Sequence, residues 1–236
     1  SVSLDKTVRV WELPALQLQG VLRPPIGTGI KGALYAVALS PDGQTVVCGG
    51  GEGEVFVFQR STGRLTHRLQ GFPNIITHLA YSRDGRWLLF HDASAPLLQA
   101  RELDASGAIK GDPVVVARAL TGTMDQARMS PDGKWVAYNS NESGRFEVYV
   151  VPFPATGQRF PVSRNGGSQP TWRADGGELY YLTPEGVLNA VKVTASGTTF
   201  ATSEPVEIIR PKLAGVSSVV EQYAPHPSGT KFLFLD

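Results

Sequence analysis

Cysteine is nearly missing from this 236-residue sequence: Cys48 stands alone, so no internal disulfide can form. Its place in the run Thr45-Val46-Val47-Cys48 reads as that of a small buried hydrophobe. Long apolar runs are missing too. None approaches the roughly 18 residues that a membrane-spanning helix requires, so membrane insertion is not expected. Neither sign of charge dominates, since 22 basic and 21 acidic residues leave a formal net charge of +1. They are scattered, whereas nucleic-acid binding needs a basic stripe that displaces phosphate counterions. The four histidines, His67, His78, His91 and His226, fall in different repeats, unlike the clustered donors of a structural zinc. No metal and no cofactor are expected.

Catalytic signatures are equally scarce. No G-x-S-x-G elbow occurs, the nearest run being Gly166-Gly167-Ser168-Gln169-Pro170, and no segment alternates strands with helices, so serine hydrolysis is not expected. Gly49-Gly50-Gly51-Glu52-Gly53 lacks the following helix that makes a phosphate cradle and reads as a strand-to-strand loop. Ser1 opens neither a charged n-region nor an apolar h-region, so an export signal is expected to be absent or removed.

What the chain does contain is a repeated turn. Ser40-Pro41-Asp42-Gly43 returns as Ser82-Arg83-Asp84-Gly85, Ser130-Pro131-Asp132-Gly133, Arg173-Ala174-Asp175-Gly176 and, degraded, His226-Pro227-Ser228-Gly229. Pro sets φ at the first corner, Asp bonds back to nearby backbone, and Gly takes the positive φ that ends the turn. A short apolar strand follows each one: Thr45 to Cys48, Trp87 to Phe90, Trp135 to Tyr138, Leu179 to Leu182 and Phe232 to Leu235. Several of these are apolar at every position, which requires burial on both faces, as in a sheet sandwiched between sheets. Further strands, such as Val55 to Phe58, Glu147 to Val151 and Leu188 to Val193, complete a four-stranded meander, the blade of a β-propeller.

Five such intervals, the last running through both termini, take up the whole chain. The expected fold is therefore all-β: a five-bladed β-propeller of four-stranded antiparallel blades. Complete blades would span 33-75, 76-121, 122-167 and 168-213, and 1-32 would share a closing blade with 214-236. In that blade Phe232 to Leu235 would pair with Thr7 to Trp11, leaving no exposed sheet face and hence a monomer.

Two family resemblances lie in different halves. Asp5-Lys6-Thr7-Val8-Arg9-Val10-Trp11-Glu12 resembles the strand of a WD-repeat that ends in Trp-Asp, here with Glu. Leu34 to Gly43 and Leu79 to Gly85 are similar to the strand and turn that open a bacterial WD blade, although the upstream Gly-His pair is missing. From about Gly122 the chain resembles TolB-like propeller repeats that follow bacterial kinase domains, in Ser130 to Ser143, Glu147 to Pro154 and Asn165 to Leu182. The resemblances imply a bacterial hybrid or chimera, with its seam between about His91 and Gly122, in a soluble compartment, cytoplasm or periplasm. They also imply a non-enzymatic scaffold for protein or peptide partners or for sensing, or a natural or engineered hybrid without a dedicated activity.

Loops converge at a propeller's channel mouth, where ligands bind. Four residues before each turn stand Ala36, His78, Gln126, Gln169 and Gln222. The polar side chains there either present hydrogen bonds to a ligand, such as a carbohydrate, or satisfy inner-strand backbone and water. Asp125 and Glu221 stand one residue earlier and are either solvated charges or the paired carboxylates of a five-bladed glycoside hydrolase. Most of Trp11, Trp87, Trp135 and Trp172 are expected in the core. Arg128, Arg164, Arg173 and Lys212 are expected on a surface of mixed charge.

Overall fold

The computed structural model describes residues 1–2, 5–12, 15, 17–25, 33–51, 53–72, 75–92, 95–217 and 220–235. Among them every regular element is a strand, and the turn motif explains why. In three copies the serine hydroxyl (Ser40, Ser82, Ser130) donates to the aspartate two residues on, at 2.5–2.6 Å. The same hydroxyl accepts the main-chain N–H of the residue that starts the next strand, at 2.8–3.0 Å. The glycines close the turn at φ +69° to +76° from Gly43 to Gly176 and at +70° in Gly229. Arg173 replaces the serine by a guanidinium bond to Asp175, 2.7 Å long, and His226 uses its ring Nδ1.

The chain forms two compact units, Ser1–Ala95 with Gln99–Pro113, and Pro96–Leu98 with Val114–Asp236. In the first unit β1 (Val8–Glu12) pairs with β2 (Gln17–Leu22). A meander follows: β3 (Leu34–Leu39), β4 (Thr45–Gly50), β5 (Val55–Gln59) and β6 (Leu65–Leu69). The next sheet comprises β7 (Ile76–Tyr81), β8 (Trp87–Asp92), β9 (Leu97–Leu103) and β10 (Ile109–Arg118), and the division between units falls in its two outer strands.

The second unit contains a four-stranded sheet of β11 (Met124–Met129), β12 (Trp135–Ser140), β13 (Glu147–Pro152) and β14 (Phe160–Pro161). Beside it lie β15 (Ser168–Trp172), β16 (Glu178–Leu182) and β17 (Leu188–Ser196), with β18 (Thr199–Thr202) and β19 (Val206–Ile209) both pairing with β17. A hairpin of β20 (Tyr223–Pro225) and β21 (Phe232–Phe234) follows.

Alternation along the apolar strands feeds two cores at once, because successive side chains leave opposite faces of a sheet. Val46, Cys48, Phe56 and Phe58 pack with Val8 and Leu22 of the first hairpin, while Val47, Val55 and Val57 pack with Ile76, Leu79 and Phe90 of the following sheet. In the second unit Leu179, Tyr181 and Val191 join Trp135, Val150 and Phe200, and Tyr180, Leu182 and Leu188 join Tyr223. Burial pushes the Cys48 thiol up to about 12.

The structure corrects several local expectations. Gly49 and Gly50 belong to β4 and not to a loop, and a Cβ at Gly50 would lie 1.7 Å from the Ala33 carbonyl oxygen, so only glycine allows that approach. Glu52 of the same run lies outside the described residues. β21 is not buried on both faces, since its middle residue, Leu233, is exposed. His78 and His91 are not in different repeats: the Asp84-Gly85 turn folds β7 back on β8 and makes them register partners. Of the tryptophans, Trp135 and Trp172 are buried, Trp87 is half-buried and Trp11 is exposed.

Ser130 is buried and holds the N–H of Trp135. Ser130→Ala should therefore cost about 1–3 kcal/mol, the penalty for a buried donor left unmade. Ser40→Ala, at a half-buried turn, should cost less. Urea denaturation of the two variants checks the order.

Candidate functional site

The first strand of each of four sheets, β3, β7, β11 and β15, carries one extra residue near its start. Register shifts lie between Leu34 and Ala36, Ile76 and His78, Asp125 and Arg128, and Ser168 and Thr171. These are β-bulges, which free main-chain groups from the ladder and re-aim side chains. In the second unit Gln126 and Gln169 sit in two of them at φ +52° and +56°, in the left-handed region that side-chain-bearing residues rarely adopt.

The glutamines form a relay. Gln126 Oε1 accepts the main-chain N–H of Gln169 at 2.9 Å and the Asn139 amide at 3.0 Å. Gln169 Oε1 in turn accepts the main-chain N–H of Gln222 at 2.6 Å. Their amide nitrogens hold a nearby segment: Gln126 donates to the Val220 carbonyl, Gln169 to that of Ser217 and to Gln222 Oε1, and Gln222 to that of Gly215. Tyr223 closes the cluster, its hydroxyl donating to the Gln169 carbonyl at 2.7 Å. Gln126 and Gln169 are 1% and 2% exposed.

Two carboxylates flank the relay in unlike surroundings. Asp125 is buried, accepts the Gln126 N–H at 2.8 Å, and is pushed up to about 7 by desolvation, against the opposing effects of that N–H and of Arg128. Glu221 is exposed and forms an ion pair with Arg128. Burial lowers the Arg128 guanidinium to about 10, and Tyr223 and Asp125 oppose the shift. The Trp172 indole N–H donates to the Arg128 carbonyl at 2.9 Å, which fixes this strand against its neighbour.

The structure thus brings Asp125, Gln126, Gln169, Glu221 and Gln222 into one cluster. His78 occupies the matching bulge in the first unit, where it is buried. Asn139, Ser217 and Tyr223 belong to the cluster without having been expected there. Asn139 had a positional signal, since it stands across the ladder from Asp125. Arg173 pairs with Asp175 and Glu178, in keeping with a surface of mixed charge. Among the described residues no group of three His, Cys, Asp or Glu is placed to hold a metal ion.

The first unit has a wide groove of about 1080 Å³ between the β3–β6 and β7–β10 sheets. Asp42, Arg64, Thr66, Tyr81, Arg86 and Lys110 are among its lining residues.

Antiparallel four-stranded meanders joined through apolar layers fit the blade arrangement of β-propellers. Comparison with known proteins agrees. Residues 24–59 match the WD domain, G-beta repeat family. The chain is similar to the small ribosomal subunit protein RACK1y of Oryza sativa subsp. japonica, 33% identical over 88 residues, covering 37% of this chain and 24% of that protein. It is also similar to autophagy-related protein 16 of Arabidopsis thaliana, 24% identical over 142 residues, covering 59% and 26%. The chain spans about a quarter of the length of these curated relatives. Among solved structures, the hydrazine synthase of Kuenenia stuttgartiensis matches with a TM-score of 0.62 and 13% identity, covering 96% of this chain and 66% of that one. At that identity the likeness concerns the fold alone.

The environment of Asp125 generates a pH dependence. Its carboxyl stays protonated in the folded chain up to about pH 7, and in the unfolded chain ionises near its ordinary value of 3.8. Between those values the folded state holds a proton that the unfolded state lacks, so stability falls as pH rises through the window and the penalty is complete above it. Asp125→Asn should therefore gain on the order of 1–4 kcal/mol at pH 8 and almost nothing at pH 4. Urea melts at the two pH values measure this; a variant profile parallel to the wild type refutes it.

Proposed function

We propose that the chain is a non-enzymatic protein-interaction module whose partner-binding surface is the groove of the first unit. The observation that carries this reading is the overlap between the WD-family match and the groove. Ser40, Asp42, Gln44, Thr45, Val57 and Gln59 all lie within residues 24–59 and line the groove. Its volume of about 1080 Å³ and its exposed charges of both signs suit an extended segment of a partner protein. The curated relatives are themselves named as a ribosomal subunit protein and an autophagy-related protein.

The wider architecture belongs to the same reading. We infer five blades, 33-75, 76-121, 122-167, 168-213 and a closing blade of 1-32 with 214-236, the later ones TolB-like, in a natural hybrid or a chimera. Support comes from strand counts: the terminal hairpins β1–β2 and β20–β21 have two strands each, half of a four-stranded blade. Such a ring is a monomer. Ligand binding at a channel mouth formed by His78, Asp125, Gln126, Gln169, Glu221 and Gln222 is the second reading, favoured by the partial exposure of Arg128 and Glu221 above the buried relay.

Selection of linear peptides from a random display library tests the interaction reading. Peptides that bind the wild type should lose roughly tenfold or more in affinity to Arg64→Glu or Lys110→Glu, both exposed positions. Failure to select any peptide, or binding indifferent to both variants, overturns it.

A further inference from the structure

The second unit contains a cleft that takes no part in the glutamine relay. It measures about 380 Å³, within the range of small-ligand pockets and far below what a folded partner needs. Three segments wall it: the stretch from Pro161 at the end of β14 to Gly166, the strands and turn of β16 and β17, and the stretch from Thr202 at the end of β18 to Pro205.

Each wall is pinned from behind. Glu147, 5% exposed, accepts the Gly166 N–H at 2.9 Å, the Ser163 hydroxyl and the Arg145 guanidinium. Arg145 also donates to the Arg164 carbonyl at 2.7 Å. Gly166, at φ +98°, lies so close to the next wall that a Cβ would sit 2.4 Å from Pro184. Ser203 is tied to β17 twice, through its hydroxyl and its main-chain N–H, both to Lys192 at 3.0 Å. A cleft built this way keeps its shape without a ligand, which lowers the ordering cost of binding one.

Its chemistry is bipolar. Arg164 is exposed on one wall, Glu185 and Glu204 on the others, and neither Arg164 nor Glu204 is in an ion pair among the described residues. Asn165 and Asn189 add amide donors and acceptors. The Tyr181 hydroxyl bonds with Asn189, while its ring is packed in the core. A sugar would lack an aromatic face to stack on, a phosphate would meet two carboxylates, and a bare cation would meet Arg164.

We propose that this cleft binds a small zwitterion, a free α-amino acid, with its carboxylate on Arg164 and its ammonium toward Glu204 and Glu185. Arg offers a planar fork that matches a carboxylate, and the amides suit the remaining polar atoms. The site is separate from the groove of the first unit and does not depend on it.

The test is a thermal-shift screen of the free amino acids, each at a concentration on the order of millimolar, followed by calorimetric titration of any that raises Tm. At least one amino acid should bind. Arg164→Ala and Glu204→Ala should each weaken it roughly tenfold or more while leaving the ligand-free Tm unchanged, since both side chains are exposed. N-acetylation or carboxyl amidation of the same amino acid should abolish the shift. No shift with any amino acid, affinity unchanged in both variants, or a shift given only by monosaccharides or inorganic phosphate overturns the proposal.

Discussion

The side-chain carbonyl of one bulged glutamine accepting the main-chain N–H of the next holds the second unit's sheets in register. Gln126 does this for Gln169, and Gln169 for Gln222. The need arises from the bulges themselves. A bulge takes an N–H out of its ladder, and a buried donor without a partner costs about 1–3 kcal/mol. A side chain reaching from the neighbouring sheet can supply the acceptor without adding a strand. The left-handed backbone of Gln126 and Gln169 costs roughly 1–2 kcal/mol each, and two or more hydrogen bonds per glutamine offset it.

That stitch is confined to the bulged first strands and the Gln222 segment, so the rest of each sheet must be held by packing. Strand alternation supplies it. A residue such as Val47 and its neighbour Cys48 face different apolar layers, so every central strand is a wall shared by two cores. Removing a sheet would strip both adjacent layers of one side at once. The terminal hairpins show the same logic where it is incomplete: Trp11, Leu18 and Val21 on the first and Leu233 and Leu235 on the last are exposed.

The hairpin turns were legible in the sequence because their chemistry is local: serine, aspartate and glycine within four residues satisfy one another. The strands after them were legible because burial on both faces leaves continuous apolar runs. The bulge was not. Nothing in the composition around Gln126 marks a left-handed residue, since glutamine carries no such preference and the main-chain donor that its side chain accepts is 43 residues away. The polar positions in register were visible, but their alignment could not distinguish a ligand-facing amide from one bound to main chain. The pairing of His78 with His91 and the role of Glu147 were missed for the same reason, because both depend on which strands become neighbours.

The bonding of these amides to main chain has a consequence for where recognition can occur. Gln126 and Gln169 have their side-chain oxygens and nitrogens engaged, so a ligand approaching there would have to break contacts that hold the sheets. The outer regions carry no such debt, because strands diverge with twist and leave space between neighbouring sheets. The groove of the first unit lies at the end that bears the serine-aspartate turns, with Asp42, Asp84 and the Asp104 turn at its rim. The cleft of the second unit lies at the opposite end of its sheets, where the β16–β17 turn meets the loop leaving β14. Turns of the first kind share one hydrogen-bond pattern at Ser40, Ser82 and Ser130, which suits an open surface for an extended chain. At the other end the segments that wall the cleft do not share the repeated turn sequence, and there a pocket with its own set of charges can be built without disturbing the repeat.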